Sequence, residues 1–433
     1  MENNFLKIAL KGYFVVIASL MYYFLSETIN LGVFITYRHV FALVLFASAV
    51  LCFLCKPNIA RGAASVNATF VYAFPLVVTI LASLFIWFVD QVDTAVISRG
   101  LSGAFVYTNM FSFTFAAVAF LYIFGEKGIW YNLIAILISN MLIIFTVIIQ
   151  NGIGTFISEF ITLIITFAAE TGEVIVQAEI HELAFCLGAY LIYMLLNFKK
   201  NIAFFILLGL SVFCFLAAFK RIGIIAIAVA LAIGWFLKFV AKFKKSTANN
   251  LAIIFSVLVS VFLIGYIAII KLGAFTLLEE AGVNTSGRMD IYNAVDRFYE
   301  FSPEFLGHGI GFLTYQLSNA HIGVSAVHND FLQYFIDLGF FGYILWLVSI
   351  TVLRVCYFGA KRKTDNAIIV LSLTIYFVIV SSTDNTMNYP LLTTALAVIM
   401  IGHGFDESVR VKEEKIFGYV SDVNKNTRGG ALL

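Results

Sequence analysis

Charged residues are scarce in this chain. Asp, Glu, Lys and Arg make up only 12% of its 433 residues, and the mean hydropathy is +0.97. Soluble domains carry about twice that share of charge, so an ordinary soluble protein is excluded. With 61% hydrophobic residues, the composition indicates a membrane protein.

Proline and cysteine are rare too, at four and five residues. No Ser/Gly-rich run suggests a disordered linker, and no internal repeat is visible, which disfavours transporters built from repeated halves. All the cysteines fall inside or at the inner ends of predicted spans, so we expect no disulfide framework. Cys52 and Cys55 form a CxxC pair, but with no histidine or further cysteine nearby we interpret them as packing residues.

Apolar runs, by contrast, are abundant. They approach the roughly 20 residues that cross a bilayer, and in lipid such runs must be helices because the backbone has to satisfy its own hydrogen bonds. We therefore predict an all-α, polytopic membrane protein with about twelve transmembrane helices. The predicted spans cover residues 12–25, 33–55, 67–89, 101–124, 129–149, 183–197, 201–219, 222–240, 250–271, 330–353, 366–381 and 389–403.

The distribution of Lys and Arg predicts the orientation of these spans. All but seven of the 27 basic residues, Arg354 included, fall on the side that also holds both chain ends, and cytoplasmic loops are the basic ones. We therefore expect both termini to be cytoplasmic, with the loop 273–327 outside. Some of the seven outer cations should bind an anionic ligand: Arg38, Arg99, Lys220, Arg221, Lys271, Arg288 and Arg297.

The domain organisation is simple. We predict one transmembrane domain over residues 1–404, followed by a short cytoplasmic tail over 405–433. A second outer segment, 150–182, contains five glutamates and no Lys or Arg. Its apolar centre, 156–169, is too short for a full span, and we expect an interfacial or re-entrant helix there.

Lys220 and Arg221 lie in the sequence FKRIG, between two apolar runs. One interpretation is a tight turn whose cations reach the lipid headgroups. The other is an anion site, since the turn begins a helix whose free N–H groups favour negative charge. Arginine suits a diphosphate because its planar fork donates two parallel hydrogen bonds.

The long outer loop contains an amphipathic stretch that begins at Arg288. Its apolar residues recur at helical spacing and predict a helix lying on the membrane domain; they are Ile291, Tyr292, Val295, Phe298 and Tyr299. Packing explains that face but not the arginine directly before it, so we expect Arg288 to contact a ligand. Arg297 lies among acidic residues, and a solvated ion pair is the simpler expectation.

His328 and Asn329 open the next predicted span. A histidine at a helix start is ordinarily a cap or an interfacial residue. At the outer membrane edge, however, an imidazole can accept a proton from a hydroxyl near neutral pH. His308 and His321 lack a rigid helix and are interpreted as loop residues. No zinc-type spacing and no DxD pair is present in the loop, so we expect no catalytic metal.

Three stretches together resemble a known family. FKRIG opening a helix, GRMDIYNAVDRFYEFSPEFLGHGIGFL in the outer loop and HNDFLQYFIDLGFFG entering the next span are similar to the O-antigen ligase and polymerase family. That family includes lipopolysaccharide O-antigen ligases and the Wzy-type polymerases of O-antigen and capsule. The resemblance covers Phe219–Gly342. It implies a glycosyltransferase of the GT-C type that uses a polyprenyl-diphosphate-linked glycan on the outer face of the cytoplasmic (inner) membrane.

The resemblance also implies roles for individual residues. Arg221 and Arg288 would hold the lipid diphosphate, and Lys220 is expected to share it, because FKRIG replaces the family's more usual Ser-Arg-Gly. His328, with Asn329 beside it, would activate the acceptor hydroxyl. Asp384, in SSTDN after the following span, matches an acidic position.

The predicted function is that of a Wzy-type polysaccharide polymerase. It would transfer the growing glycan from polyprenyl diphosphate to the next lipid-linked repeat unit, with inversion and without metal or cofactor. An O-antigen ligase, which uses a lipid A-core acceptor, is the alternative within the family, and a lipid-linked-glycan flippase is the alternative from another class. Expected partners are the lipid-linked donor and acceptor, membrane lipid and a chain-length regulator protein, but no nucleic acid.

Overall fold

The computed structural model describes residues 2–24, 37–89, 94, 97–98, 113–166, 172–178, 180–218, 220–274, 288–319, 327–360 and 364–410. Of the chain so described, 88% is helical and no part forms a strand. The helices are α1 (Glu2–Tyr23), α2 (Tyr37–Cys55), α3 (Ile59–Val89), α4 (113–124), α5 (Gly128–Asn151), α6 (Ile153–Thr166), α7 (Glu173–Gln177), α8 (His181–Leu196), α9 (Ile202–Ala217), α10 (Arg221–Phe243), α11 (Lys245–Lys271), α12 (Arg288–Val295), α13 (Phe312–Asn319), α14 (Asp330–Val348), α15 (Thr364–Ser381) and α16 (Pro390–Gly402).

The predicted all-α, polytopic class is confirmed. Seven described helical stretches are long and apolar enough to cross a membrane, and five shorter apolar helices accompany them. One long stretch, Phe113–Asn151, contains the predicted span 129–149 and the last part of the predicted span 101–124. A positive φ of 60° at Gly125 begins the 3₁₀ turn between them, and Gly128 packs against the backbone of Phe120, so α5 folds back on α4.

The predicted span 330–353 falls within the apolar stretch Asp330–Gly359, but α14 is not a single straight helix, because it is broken at Gly339. This glycine has φ 69° and ψ −177°, a conformation essentially restricted to glycine. Tyr334 and Trp346 stack on each other with ring centroids 4.2 Å apart. Twelve residues of continuous helix would separate them by about 18 Å. The two arms of α14 therefore fold against each other about Gly339.

The outer segment 301–319 docks into this break. Phe340 N–H donates to the Phe305 carbonyl at 2.9 Å, and Gly309 N–H donates to the Asp337 carbonyl at 2.7 Å. A Cβ on Gly339 would lie 2.1 Å from the Leu306 carbonyl carbon, so only glycine permits the approach. The backbone exposed by the break is thus satisfied by protein, as it must be in a membrane domain.

The apolar face predicted for the outer loop is buried, with Ile291, Tyr292, Val295 and Tyr299 all covered. Arg297 does not form the expected ion pair with any described residue. Its guanidinium carbon lies 4.7 Å from the centroid of the Phe298 ring, and the neighbouring Asp296 pairs instead with Lys271 at 2.9 Å.

The segment predicted to lie at the membrane interface forms α6 and α7. The Glu159 carboxylate joins the two helices, because one of its oxygens accepts the N–H groups of Val174 and Ile175, each at 2.9 Å. These two bonds cap the start of α7 and tie it to α6. The interfacial location itself stays a prediction.

The helices place charged groups at two ends of the bundle. At the Arg61 end, Arg61 pairs with Asp406 at 2.8 Å and His403 lies 3.3 Å from Glu126. At the opposite end, which we call the His328 end, lie the start of α8, the start of α14 and the connection 382–389 between α15 and α16.

One basic residue departs from the predicted partition. Arg354, assigned from sequence to the cytoplasmic end of its span, is only 7% exposed. Its Nη2 donates to the backbone carbonyl of Tyr72 at 2.9 Å. Arg354 is therefore an interior residue rather than a marker of topology.

Candidate functional site

His328 occupies an unusual position immediately before α14. Its φ of 52° is the only positive value at a non-glycine residue in the described chain. A bulky residue in this conformation is uncommon and is typical of functional sites. The side chain is 45% exposed, so it combines a constrained backbone with access from outside.

The connection 382–389 brings a carboxylate to His328. His328 Nδ1 lies 3.7 Å from Asp384 Oδ1 and 3.5 Å from the Asn385 side-chain nitrogen. Its other ring nitrogen, Nε2, makes no hydrogen bond to any described residue. The arrangement orients one nitrogen with a carboxylate and leaves the second for a substrate, as in catalytic histidines generally.

Asp384 is held as a charged group by its surroundings. Burial alone would raise the pKa of this carboxyl, but interactions with His328, the Asn385 N–H (2.8 Å) and the Tyr389 hydroxyl (3.1 Å) bring the pKa below its ordinary value. Burial and the adjacent Asp384 also raise the pKa of Tyr389, which therefore remains a neutral hydroxyl donor. Asp384 is ionised near neutral pH and can stabilise an imidazolium beside it.

A second histidine, His181, reaches the same carboxylate. Its Nδ1 lies 3.9 Å from Asp384 Oδ2, whereas the closer partners all approach Oδ1. His181 begins α8, far from His328 in sequence, and sequence reasoning missed it. The available signal was a histidine at the start of a predicted span, the same signal that singled out His328.

Asn329 lies in the interior rather than in the open site. It is 0% exposed, and its Oδ1 accepts the Leu332 N–H, which caps α14. Its amide donates to the hydroxyls of Tyr266 and Tyr292 at 3.0 and 3.1 Å. Both amide hydrogens are thus used within the protein, and Asn329 fixes the start of α14 to α11 and α12.

Asp330 is a further residue that sequence reasoning missed. It is 1% exposed, and its Oδ2 accepts the Met387 N–H at 2.9 Å and the Thr386 hydroxyl at 3.1 Å. This buried carboxylate ties the first residue of α14 to the connection that carries Asp384. It therefore fixes the spacing between His328 and Asp384.

Arg221 lies at the same end of the bundle as this pair. Gly234 packs against Ser372, and Lys238, one turn further, interacts with Asp365, so α10 and α15 are antiparallel. Arg221 lies about 20 Å along α10 from Gly234. In the same direction, the end of α15 lies about 14 Å along that helix from Ser372. The start of α10 is thus level with the connection 382–389.

The two cations of the FKRIG turn have different settings. Lys220 is the N-cap residue of α10 and its side chain makes no capping bond. Arg221 is exposed and has no acidic partner among the described residues. The free N–H groups of the first turn of α10 lie beside it, as expected for an anion site.

Two of the other outer cations are neutralised by carboxylates. Arg38 pairs with Glu182 at 3.1 Å, and the other oxygen of Glu182 accepts the Leu391 N–H at 2.7 Å, at the start of α16. Lys271 pairs with Asp296. Both cations therefore have structural roles. The main candidates for anion binding are then the FKRIG turn and Arg288.

The remaining predicted residues lie in the outer loop. Arg288 begins α12, but its side chain lies outside the described part of the structure, as do Arg99 and His321. His308 is a packing residue, because its Nε2 is 2.9 Å from the Phe298 carbonyl and its ring stacks on Phe312 with centroids 3.9 Å apart.

Residues 202–347 match the family model described as O-antigen ligase. This part of the chain, about a third of its length, is similar to the O-antigen ligase family. The matched stretch runs from α9 through most of α14 and includes the FKRIG turn, α12 and His328. It indicates a membrane protein with O-antigen ligase or polymerase-type activity on lipid-linked glycans. His181 and Asp384 lie outside the matched residues. No curated protein matches the chain.

Proposed function

We propose that the protein is a Wzy-type polysaccharide polymerase of the GT-C type. It transfers a growing glycan from polyprenyl diphosphate to the hydroxyl of the next lipid-linked repeat unit, with inversion at the anomeric carbon and without a metal. The observation that carries this proposal is the pairing of His328 with Asp384 at the same end of the bundle as the exposed start of α10.

His328 acts as the general base in this mechanism. Its Nδ1 faces the ionised Asp384, which favours a proton on Nδ1 and leaves Nε2 to accept one from the acceptor hydroxyl. The resulting imidazolium is stabilised by the carboxylate. A positioned base of this kind contributes about 10²–10⁴-fold, and Asn329 and Asp330 position it without touching substrate.

Arg221, Arg288 and Lys220 hold the donor diphosphate. Diphosphate is already a good leaving group, so the site needs cations rather than an acid to stabilise the charge that develops on it. Arg221 is exposed at a helix start, and α12 brings the backbone of Arg288 close to Tyr292, a contact of Asn329.

We place this site on the external face of the cytoplasmic (inner) membrane. The Arg61 end of the bundle carries Lys56, Arg61 and Lys127, together with the basic residues that end α8 and lie between α10 and α11. Cytoplasmic loops are enriched in such residues. Both chain termini would then be cytoplasmic.

The general-base role is tested with His328→Ala, and His308→Ala serves as the matched histidine control. His328→Ala should abolish polymer synthesis in a deletion strain while purified protein still binds the lipid-linked donor, because the cations carry donor binding. His308→Ala should retain synthesis. If His328→Ala made polymer at the normal rate, proton removal would belong to another group.

Deletion phenotypes distinguish polymerisation from two other functions. An O-antigen ligase would use the same donor with a lipid A-core acceptor, and the family match includes that description. Deletion of a polymerase leaves single repeat units attached to the core, whereas deletion of a ligase leaves none. Deletion of a flippase would instead keep lipid-linked units off the outer face.

A further inference from the structure

A small cavity lies between α3, the continuation of α14, α15 and α16. Its lining is largely apolar and includes Leu76, Phe377, Met387 and Leu396, and its volume is about 20 Å³. The one charged group on its wall is Arg354. That residue lies between two π-helical segments, Ser349–Leu353 and Val355–Ala360, and such segments are frequent at functional sites.

The guanidinium of Arg354 is only partly satisfied. Nη2 donates to the Tyr72 carbonyl at 2.9 Å, and the group lies over the Tyr72 ring with 4.1 Å between its carbon and the centroid. Nε is buried without a partner, and Nη1 donates to no described residue. Two donor nitrogens therefore remain for a ligand.

The positive charge is also uncompensated within the described chain. No carboxylate there lies within ion-pair distance of Arg354; the contact with Tyr72 supplies only a carbonyl dipole and a π face. Buried ions in membrane domains are paired because an isolated charge in a low-dielectric interior is costly. A bound anion beside Arg354 would therefore balance this buried positive charge.

The cavity volume limits which anion fits. A cavity of about 10–15 Å³ on this measure holds one water-sized guest, and ≈ 20 Å³ leaves no room for a phosphate. Met387, which belongs to the connection 382–389, lines the cavity, and Asp330 accepts its N–H. Neither Lys220 nor Arg221 lines the cavity. The cavity is therefore separate from the proposed diphosphate site.

We propose that Arg354 binds a chloride-sized monovalent anion in this cavity. The anion would balance the guanidinium and would hold α3, α14 and the connection that carries Asp384 together. This site does not depend on the proposed transferase activity, since it concerns charge balance inside the bundle.

The test is a comparison of anions at matched ionic strength. The melting temperature of the purified full chain should rise by roughly 1–2 °C for each tenfold increase in chloride or bromide above the dissociation constant. Gluconate, which is too large for the cavity, should give no rise. An anomalous-scattering peak from bromide beside Arg354 is expected in crystals.

Arg354→Gln should abolish the halide response, and Arg297→Gln, which removes an exposed cation, should retain it. If Arg354→Gln fails to fold, the wild-type comparison decides the question by itself. Equal melting temperatures in chloride and gluconate, or a water molecule without bromide signal in the cavity, would overturn the proposal.

Discussion

Substitution of Gly339 should disconnect the outer segment from α14. In Gly339→Ala, the backbone would keep φ 69° and ψ −177°, a conformation that costs a non-glycine residue of order 1–3 kcal/mol. The new Cβ would lie 2.1 Å from the Leu306 carbonyl carbon, which forces the segment away. Loss of the Phe340–Phe305 bond would then leave a buried polar group, at about 1–3 kcal/mol. The expected destabilisation is about 3 kcal/mol or more.

The assay combines thermal unfolding with hydrogen exchange of the peptide that contains residues 305–311. Gly339→Ala should unfold at a lower temperature, exchange faster in this peptide and make less polymer, because the displaced segment 301–319 follows shortly after α12, the helix that begins with Arg288. Gly209→Ala is the control, since a Cβ there meets no atom within 4 Å and alanine favours a helix. A Gly339→Ala protein with unchanged melting temperature and unchanged exchange would refute the docking argument.

Three further predictions follow from the site. Asp384→Asn should lower the melting temperature at pH 7, because the pKa of Asp384 is lower in the folded protein than in the unfolded chain. The difference from the wild type should begin to shrink near about pH 4 and vanish once the pH falls below the folded-state pKa, since the stabilisation is lost as the carboxylate is protonated. An equal difference at every pH in a melting series would contradict this. Arg221→Ala should nearly abolish synthesis and Arg221→Lys should rescue it poorly, with Arg297→Ala as a near-neutral control; full rescue by lysine would exclude a bidentate contact. A cysteine at Ser318 should react with a membrane-impermeant reagent from the outer side, and labelling only after membrane disruption would reverse the topology.

The sequence by itself determined the helical class and the outline of the site. Apolar runs of membrane-crossing length can only be helices in lipid, so the all-α class followed from composition. The buried face of α12 followed from the spacing of Ile291 and Val295, since local periodicity and burial obey the same helical geometry. His328 was visible because it opens a span next to a polar loop, and the family motifs lie within one contiguous stretch.

Only the tertiary structure decided what surrounds His328. Gly339 looks like a tolerated glycine in an apolar run, and the fold-back becomes evident only when Tyr334 stacks on Trp346. Asp384 and His181 meet because α8 and α15 pack together, and no local pattern encodes the distance between residues on separate helices. The position of Arg354 was likewise not evident from the sequence, because the nearby basic residues 361–363 suggested a cytoplasmic end. Packing of α3 against the continuation of α14 buries it instead, because side-chain environment depends on long-range contacts that hydropathy along one chain does not contain.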